Sequence, residues 1–248
     1  MWRSFQRWRG VVLVVAAIVA TAWLAVNNQL ILYIHPRYVV FTVTMAALAL
    51  VLVIASFLTR PNHSHDEPQS TLQKSVSISA GILAVAVAGA MIIIPPATLT
   101  SATVAQRDIN SSAIGAEAQS VDDAAEASDD AFAAFTVLEW SSLLRQTSDT
   151  SFYANKPVDV TGFITSDADD PTNVFYVSRF VITCCAVDAQ PIGVPVYLPD
   201  WQSQYELDDW VQVTGEFLAN PSSSSAQQIA LAPAVVTPVG EPAEPYLF

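Results

Sequence analysis

Residues 157–163 read PVDVTGF, and residues 211–217 read VQVTGEF. Apolar and polar side chains alternate in both stretches, which predicts two strands that each bury one face. Turn-forming residues separate three further strand candidates, at residues 174–181, 192–198 and 228–236. The glycine after each V-x-V-T run fits the bend that a closed barrel needs. The sequence therefore predicts a small OB-like β-barrel of five strands.

A short helix is predicted just before the first of these strands. Thr136 and Glu139 stand three residues apart at the head of an apolar stretch, and this spacing is that of a capping box. The helix would continue to about Arg145 and bury part of its apolar side. Helix and barrel together define a predicted β domain at residues 136–248.

An acidic segment at residues 97–135 precedes the β domain. It is rich in alanine, serine and aspartate, and it has no basic residue after Arg107. Such a composition has little apolar surface to bury against the entropy cost of ordering. The segment is predicted to be a solvated tether.

Three apolar runs lie before the tether, at about residues 10–26, 38–58 and 76–94. Each is close to the roughly 20 residues that a helix needs to cross a hydrocarbon core of about 30 Å. A cleavable signal peptide is the alternative for the first run, but Trp23 and Leu24 stand where small residues would be expected. The sequence therefore predicts a membrane domain of three transmembrane helices at residues 1–96.

Charge divides the chain and predicts its orientation. Residues 1–94 carry 6 basic and 2 acidic residues, whereas residues 95–248 carry 4 and 21, which gives net charges of +4 and −17. Most bases of the first part flank the first run or lie between the second and third, which favours a cytoplasmic N-terminus and an extracytoplasmic C-terminal domain in the cell membrane. A net charge of −17 also argues against nucleic acid as a partner of the barrel.

Both cysteines of the chain are adjacent, at Cys184 and Cys185. Their Cα atoms are about 3.8 Å apart, below the 4.4 Å at which ordinary disulfides begin, so a bond between them would be strained. Thiolates bind soft or borderline metals, Asp188 would add an oxygen ligand, and Arg179 would lower the pKa of the thiols. No cofactor is certain from this pattern, but zinc or another thiophilic ion would fit. A labile redox disulfide and buried apolar packing are the open alternatives.

The three histidines of the chain lie outside the β domain. With the predicted orientation, His35 is at the outer surface, on the side of the cysteines, and is a further candidate ligand. His63 and His65 lie in the cytoplasmic loop beside Asp66 and Glu67, where such a cluster would bind metal weakly. A plain solvated loop is the alternative there.

Motifs of the common enzyme classes are missing from the sequence. It contains no nucleophile elbow, no phosphate-binding loop and no HExxH metalloprotease motif, which are the patterns that most directly indicate catalysis. The sequence gives no reason to assign a reaction, and we expect a protein that is not an enzyme.

Residues 179–197, RFVITCCAVDAQPIGVPVY, resemble the YcgQ-like family of permease subunits. The resemblance extends to the V-x-V-T-G strands, to YIHPRY at residues 33–38 and to PYLF at residues 245–248, and it leaves the acidic tether unmatched. It implies an accessory subunit that partners a separate multi-spanning permease of the YcgR/YraQ type. The extracytoplasmic domain would then capture or gate the substrate, with a metal ion at the cysteine pair as one candidate. A membrane-anchored thiol oxidoreductase and a structural scaffold for a membrane complex are the alternatives.

Overall fold

The computed structural model describes residues 2–58, isolated positions between 79 and 90, residues 98–111 and residues 119–248. The chain divides into two compact units, Met1–Ala97 and Thr98–Phe248.

The N-terminal unit contains two long helices. Helix α1 spans Trp2–Val26 and helix α2 spans Val39–Leu58, with short 3₁₀ turns at Leu30–Leu32 and Pro36–Tyr38 between them. Asn28 takes a left-handed backbone conformation (φ 55°) just after α1, a conformation that asparagine tolerates better than most residues. The chain turns there, and α1 and α2 contact each other.

The prediction of three N-terminal transmembrane helices is corrected by this unit. Within the described residues, one helix is long and apolar enough to cross a membrane, the 21-residue segment Pro36–Ser56. The apolar part of α1, Val11–Val26, falls short of that length, because each helical residue advances the chain by only about 1.5 Å. The third predicted span, 76–94, lies outside the described residues apart from isolated positions.

The C-terminal unit is built around one mixed sheet of six strands. Five strands are of ordinary length: β1 Val158–Ser166, β2 Val174–Val181, β3 Gln190–Tyr197, β4 Trp210–Ala219 and β5 Ile229–Pro238. The sixth, β6, is Tyr246–Leu247. The strand order is β1-β4-β5-β3-β2-β6, and β1 also pairs with β2, so that β1 to β5 form a continuous ring of pairings.

The expected five-stranded OB-like barrel is therefore corrected to a six-stranded mixed sheet. Strand β6 runs parallel to β2, and β3 runs parallel to β5, whereas the other pairings are antiparallel. A strand of two residues is too short to show an alternating pattern, so no sequence pattern indicated it.

The glycines of the two V-x-V-T-G runs lie where backbones approach closely. A Cβ atom at Gly162 would overlap the carbonyl oxygen of Ser178, and one at Gly215 would overlap that of Ala232. The β4–β5 register also shifts between Thr214 and Gly215, as at a β-bulge. Close strand approach is thus the specific reason for both glycines.

The predicted leading helix is present as Val137–Gln146, which is named α6 below. Thr136 and Glu139 form the capping box, with the Thr136 backbone N–H donating to the Glu139 carboxylate at 2.7 Å. Trp140 on this helix is fully buried, and its ring lies 5.1 Å from that of Phe217 on β4. The helix is therefore anchored on the sheet by an aromatic contact.

The segment predicted as a tether holds three short helices within its described residues: α3 Ser101–Val104, α4 Val121–Ala125 and α5 Asp129–Ala133. Ala124 and Phe132 are buried, and Phe132 stacks on Trp140. The side chain of Asn110 makes two hydrogen bonds to the backbone of Gly193 on β3, at 2.9 and 3.0 Å. The average composition of the segment conceals these few anchoring side chains.

The two ends of the C-terminal unit lie side by side. The backbone N–H of Leu99 donates to the hydroxyl oxygen of Tyr246 at 2.9 Å. Tyr246 pairs with Phe180 in the parallel β2–β6 contact, so the start of the unit is bound to its last strand.

Candidate thiol site

Cys184 and Cys185 lie in the loop that connects β2 to β3. Val181 at the end of β2 pairs with Gln190 at the start of β3, so residues 182–189 form the turn of an antiparallel hairpin. A 3₁₀ turn at Ala186–Asp188 follows the cysteines. Cys184 is exposed and Cys185 is half-buried, and neither takes part in a disulfide. We refer to residues 182–189 as the thiol loop.

Asp188 shapes the thiol loop through its carboxylate. Its Oδ1 atom accepts the backbone N–H of Thr183 at 3.1 Å, and its Oδ2 atom accepts those of Cys184 and Cys185 at 2.8 and 3.3 Å. The backbone N–H of Asp188 donates in turn to the carbonyl oxygen of Cys185 at 2.9 Å. Hydrogen bonds to an ionised acceptor are stronger than neutral ones, so this carboxylate fixes the path of the cysteine backbone.

The sequence-predicted ligands Cys184, Cys185 and Asp188 come together in space. Their ligand atoms all lie within 4.8 Å of one another. No other cluster of three or more potential metal ligands is found within the residues that the structure describes. Zinc–sulfur bonds are about 2.3 Å long and zinc–oxygen bonds about 2.0–2.2 Å. The three donors are thus close enough to share one ion after small side-chain rotations.

Arg179, on β2, contacts the C-terminal segment. Its guanidinium donates to the carbonyl oxygens of Pro245 at 2.8 Å, Glu244 at 2.6 Å and Thr161 at 3.3 Å. It also lies over the ring of Trp210, 5.2 Å from the ring centre. Burial lowers the pKa of this guanidinium to about 10, against the opposing effect of the Glu244 charge. None of these contacts is to a cysteine, so its supporting role at the thiols stays a prediction.

Arg107 contacts the thiol loop, although no sequence pattern indicated this. Its Nη2 atom donates to the carbonyl oxygen of Val187 at 3.2 Å. Its Nη1 atom is buried and has no hydrogen-bond partner in the described part of the chain. Arg107 therefore brings a positive charge to the loop. In the sequence, Arg107 is notable only as the last basic residue before a run of acidic residues. That position does not indicate which loop its side chain contacts.

The predicted histidine ligands are not assembled with the cysteines by any described contact. His35 belongs to the N-terminal unit, where its Nδ1 atom accepts the backbone N–H of Arg37 at 3.1 Å. His63 and His65 lie outside the described residues. Their metal-binding roles stay predictions.

A second carboxylate cluster joins the β1–β2 loop to the β4–β5 loop. The buried Asp167 accepts the backbone N–H groups of Asp169 and Asp170 on Oδ1, at 2.7 and 2.9 Å, and the Ser225 hydroxyl on Oδ2 at 3.0 Å. Burial, together with the charge of Asp167, raises the pKa of the Tyr176 phenol. We call the set of Asp167, Asp170, Ser222 and Ser225 the carboxylate clamp.

Asp170 completes the carboxylate clamp. Its Oδ1 atom accepts from the Asn173 side-chain amide at 2.9 Å, and its Oδ2 atom accepts from the Ser222 hydroxyl at 2.5 Å. The Ser222 hydroxyl, followed by the Asn173 amide, lowers the pKa of Asp170. Every carboxylate oxygen of the clamp is therefore engaged by a donor of the protein itself.

The chain thus combines a helix of membrane-spanning length with a β unit that carries two thiols. Residues 8–110 match the DUF1980 N-terminal domain, and residues 123–248 match the DUF1980 C-terminal domain. The chain belongs to the DUF1980 family. The two matches also take in most of the acidic segment, leaving residues 111–122 between them. No curated protein and no solved structure matches the chain.

Proposed function

We propose that this protein is a membrane-anchored, non-enzymatic subunit of a permease, and that its β unit captures a thiophilic metal ion for that permease. The observation that carries the proposal is the thiol loop, where two sulfur atoms and a carboxylate lie within 4.8 Å of one another. Cys184 is exposed, so an ion can reach the site from solvent and leave it again.

The helix Pro36–Ser56 is the proposed anchor. Four arginines precede or open this helix, at positions 3, 7, 9 and 37, whereas Arg60 and Lys74 are the bases in the forty residues that follow it. Such an excess favours a cytoplasmic location for the N-terminal side. The acidic β unit, with the thiol loop, would then lie outside the cytoplasm at the cell membrane.

The proposed location bears on the role of the two thiols. Outside the cytoplasm, cysteines are usually paired in disulfides, but adjacent cysteines make a strained disulfide at best. Two thiols kept together on an exposed loop are better explained by ligand binding than by stabilisation of the fold. A redox role is the alternative that the same reasoning leaves.

The partner in this proposal is a multi-spanning permease. Its support is the resemblance of residues 179–197 and 245–248 to YcgQ-like subunits of YcgR/YraQ-type permeases. A net charge of −17 on residues 95–248 makes nucleic acid an unsuitable partner.

Metal analysis of the full-length protein in detergent tests the proposal. The reduced protein would be equilibrated with zinc, copper or cadmium, desalted and analysed for bound metal. We expect about one ion per chain, lost in the Cys184→Ala/Cys185→Ala double variant because both sulfur ligands are gone. Val187→Ala is the matched control, since Val187 is an exposed residue of the same loop and its loss leaves both thiols.

Two results would contradict the proposal. The first is a fully reduced protein that retains none of the three metals. The second is a thiol titration in which the protein cycles between two and zero free thiols across a redox series, which would favour the oxidoreductase.

Purification of the intact protein from native membranes tests the partner, since we expect a multi-spanning permease to co-purify.

A further inference from the structure

We propose that the ion held by the thiol loop is a soft monovalent cation such as Cu(I), bound by the two sulfurs alone, and that Asp188 is a positioning residue. This inference rests on the proposed function, because it names the class of ion that the same site captures. It differs from the sequence prediction, in which Asp188 is a ligand and zinc is the first candidate.

Asp188 has little capacity left for a metal. A carboxylate offers about four lone-pair positions, and three of them accept backbone N–H groups of the thiol loop. Both positions of Oδ2 are used, by Cys184 and Cys185, and one position of Oδ1 remains. A metal bound firmly to this carboxylate would compete with the hydrogen bonds that hold the cysteine backbone in place.

The donor count then favours a soft ion. Structural zinc takes four protein ligands and catalytic zinc takes three, but the thiol loop supplies two sulfurs and one carboxylate that is already engaged. No histidine occurs after His65 in the sequence, so the β unit has no imidazole to complete a zinc site. Soft thiolate ligands bind Cu(I), zinc and iron–sulfur clusters. Of these, Cu(I) is the ion that two sulfur ligands alone can hold.

The shape of the loop suits a two-sulfur site. On a regular strand, adjacent side chains point to opposite faces, and adjacent N–H groups point in opposite directions. Here the N–H groups of Cys184 and Cys185 both bind the same oxygen of Asp188, so the backbone curves around this atom. The two sulfur atoms lie within 4.8 Å of each other, and two metal–sulfur bonds of about 2.3 Å can span at most about 4.6 Å, so at most a small side-chain rotation is needed.

Charge near the loop is compatible with the same ion. Cu(I) bound by two thiolates carries one net negative charge, and the Asp188 carboxylate beside it adds a second, whereas a divalent ion in the same place would leave a net charge of −1. Arg107 donates to the carbonyl oxygen of Val187 and keeps one buried guanidinium nitrogen without a hydrogen-bond partner in the described residues. A guanidinium at this position can balance an anionic complex at modest cost, since nearby opposite charges stabilise each other.

Competition between two metals in the full-length, reduced protein in detergent tests the inference. The protein would be titrated anaerobically with Cu(I) and with Zn(II), each against a chelator of known affinity. We expect about one Cu(I) per chain and a Kd for Zn(II) at least about 100-fold weaker, as expected for soft sulfur donors. X-ray absorption at the copper edge should show sulfur neighbours and no oxygen neighbour.

The outcomes separate this inference from the function on which it rests. Zinc binding as tight as Cu(I) binding, or an oxygen neighbour on copper, overturns the inference and leaves metal capture standing. Failure to bind copper, zinc and cadmium overturns both.

Asp188→Asn distinguishes a positioning residue from a ligand. Asparagine keeps one acceptor oxygen for the loop, so we expect about one Cu(I) per chain, an unchanged absorption spectrum and an affinity lowered by about tenfold, the lower range for residues that orient ligands. Glu216→Gln, at an exposed position of β4, removes one negative charge elsewhere and is the matched control. Loss of the bound copper in Asp188→Asn alone would make Asp188 a ligand and contradict the proposal.

Discussion

The thiol loop and the carboxylate clamp use the same local chemistry for different ends. In each, an aspartate accepts backbone N–H groups that lie within five residues of it: Asp188 accepts three, and Asp167 accepts two. In the clamp, serine hydroxyls from the β4–β5 loop donate to the Oδ2 atom of each aspartate, whereas Cys184 of the thiol loop is exposed. The carboxylate oxygens of the clamp are all bound by donors of the protein, whereas one thiol of the thiol loop is exposed to solvent.

The difference lies in the sequence separation of the partners. Ser222 is 52 residues from Asp170, and Ser225 is 58 residues from Asp167, so the clamp joins two parts of the chain that separate on unfolding. All hydrogen bonds of Asp188 to the loop are local. The clamp should therefore contribute to the stability of the fold, and Asp188 should contribute mainly to the shape of the ligand site.

The largest effect that this comparison predicts is on stability, for Asp167→Ala. The change removes three hydrogen bonds to a buried carboxylate and leaves two backbone N–H groups and the Ser225 hydroxyl without their acceptor. We expect the free energy of unfolding to fall by about 3 kcal/mol, because one hydrogen bond to a charged group contributes about 1.5–3 kcal/mol and water can replace part of the other two. Denaturant unfolding in detergent, followed by tryptophan fluorescence, measures this loss.

Metal binding is the control for Asp167→Ala. Since the clamp and the thiol loop lie at different connections of the sheet, the folded variant should bind copper as the unchanged protein does. A variant that loses copper binding while it remains folded would show that the two loops are coupled. That result would contradict the separate roles that the comparison gives them.

Asp188→Ala should give the opposite pattern. The loop loses the acceptor that curves it, so we expect Cu(I) affinity to fall by about 10- to 100-fold, as for residues that orient metal ligands. The free energy of unfolding should fall by only about 1 kcal/mol, the typical effect of removing a local capping side chain. Chelator competition and denaturant unfolding measure the two quantities. A stability loss as large as that of Asp167→Ala would contradict the distinction between the loops.

The smallest predicted effect is on how stability changes in acid. Hydrogen bonds lower the pKa of folded Asp170 below its unfolded value of about 3.9. The stability that this group contributes is therefore fully present above about pH 4 and is lost as the pH falls through the folded pKa. Ser222→Ala removes the largest cause of the shift, so the stability gap between this variant and the unchanged protein should narrow between pH 5 and pH 3. Thermal unfolding across this range is the measurement, and a gap that widens in acid would give the wrong sign.

Local patterns predicted the local structure well. Thr136 and Glu139 indicated the start of α6, and the V-x-V-T-G runs lie on β1 and β4, which pair with each other. The spacing of Cys184, Cys185 and Asp188 was enough to bring them together, because four residues span one tight turn. These features depend on contacts between near neighbours in sequence.

Contacts between distant residues explain what the sequence did not reveal. Arg107 reaches a carbonyl 80 residues away, and the serines of the clamp meet their aspartates across more than 50 residues. Strand β6 has two residues, pairs with β2, and follows Pro245, whose carbonyl oxygen accepts a hydrogen bond from Arg179. Apolar length alone also overstated the membrane part, since one helix of spanning length is found within the described residues.

The hydrogen bond between Leu99 and Tyr246 has a mechanical consequence. Because the chain enters the β unit beside its last strand, tension applied along the chain at residue 98 acts first on this contact and on β6. Strand β6 is the shortest strand of the sheet, so we expect it to separate before the longer strands β1 to β5. The thiol loop begins directly after β2, at Ile182, whose backbone N–H donates to the carbonyl oxygen of Leu247 on β6. A pull on residue 98 would thus reach the start of the thiol loop through the hydrogen-bonded residues Tyr246 and Leu247.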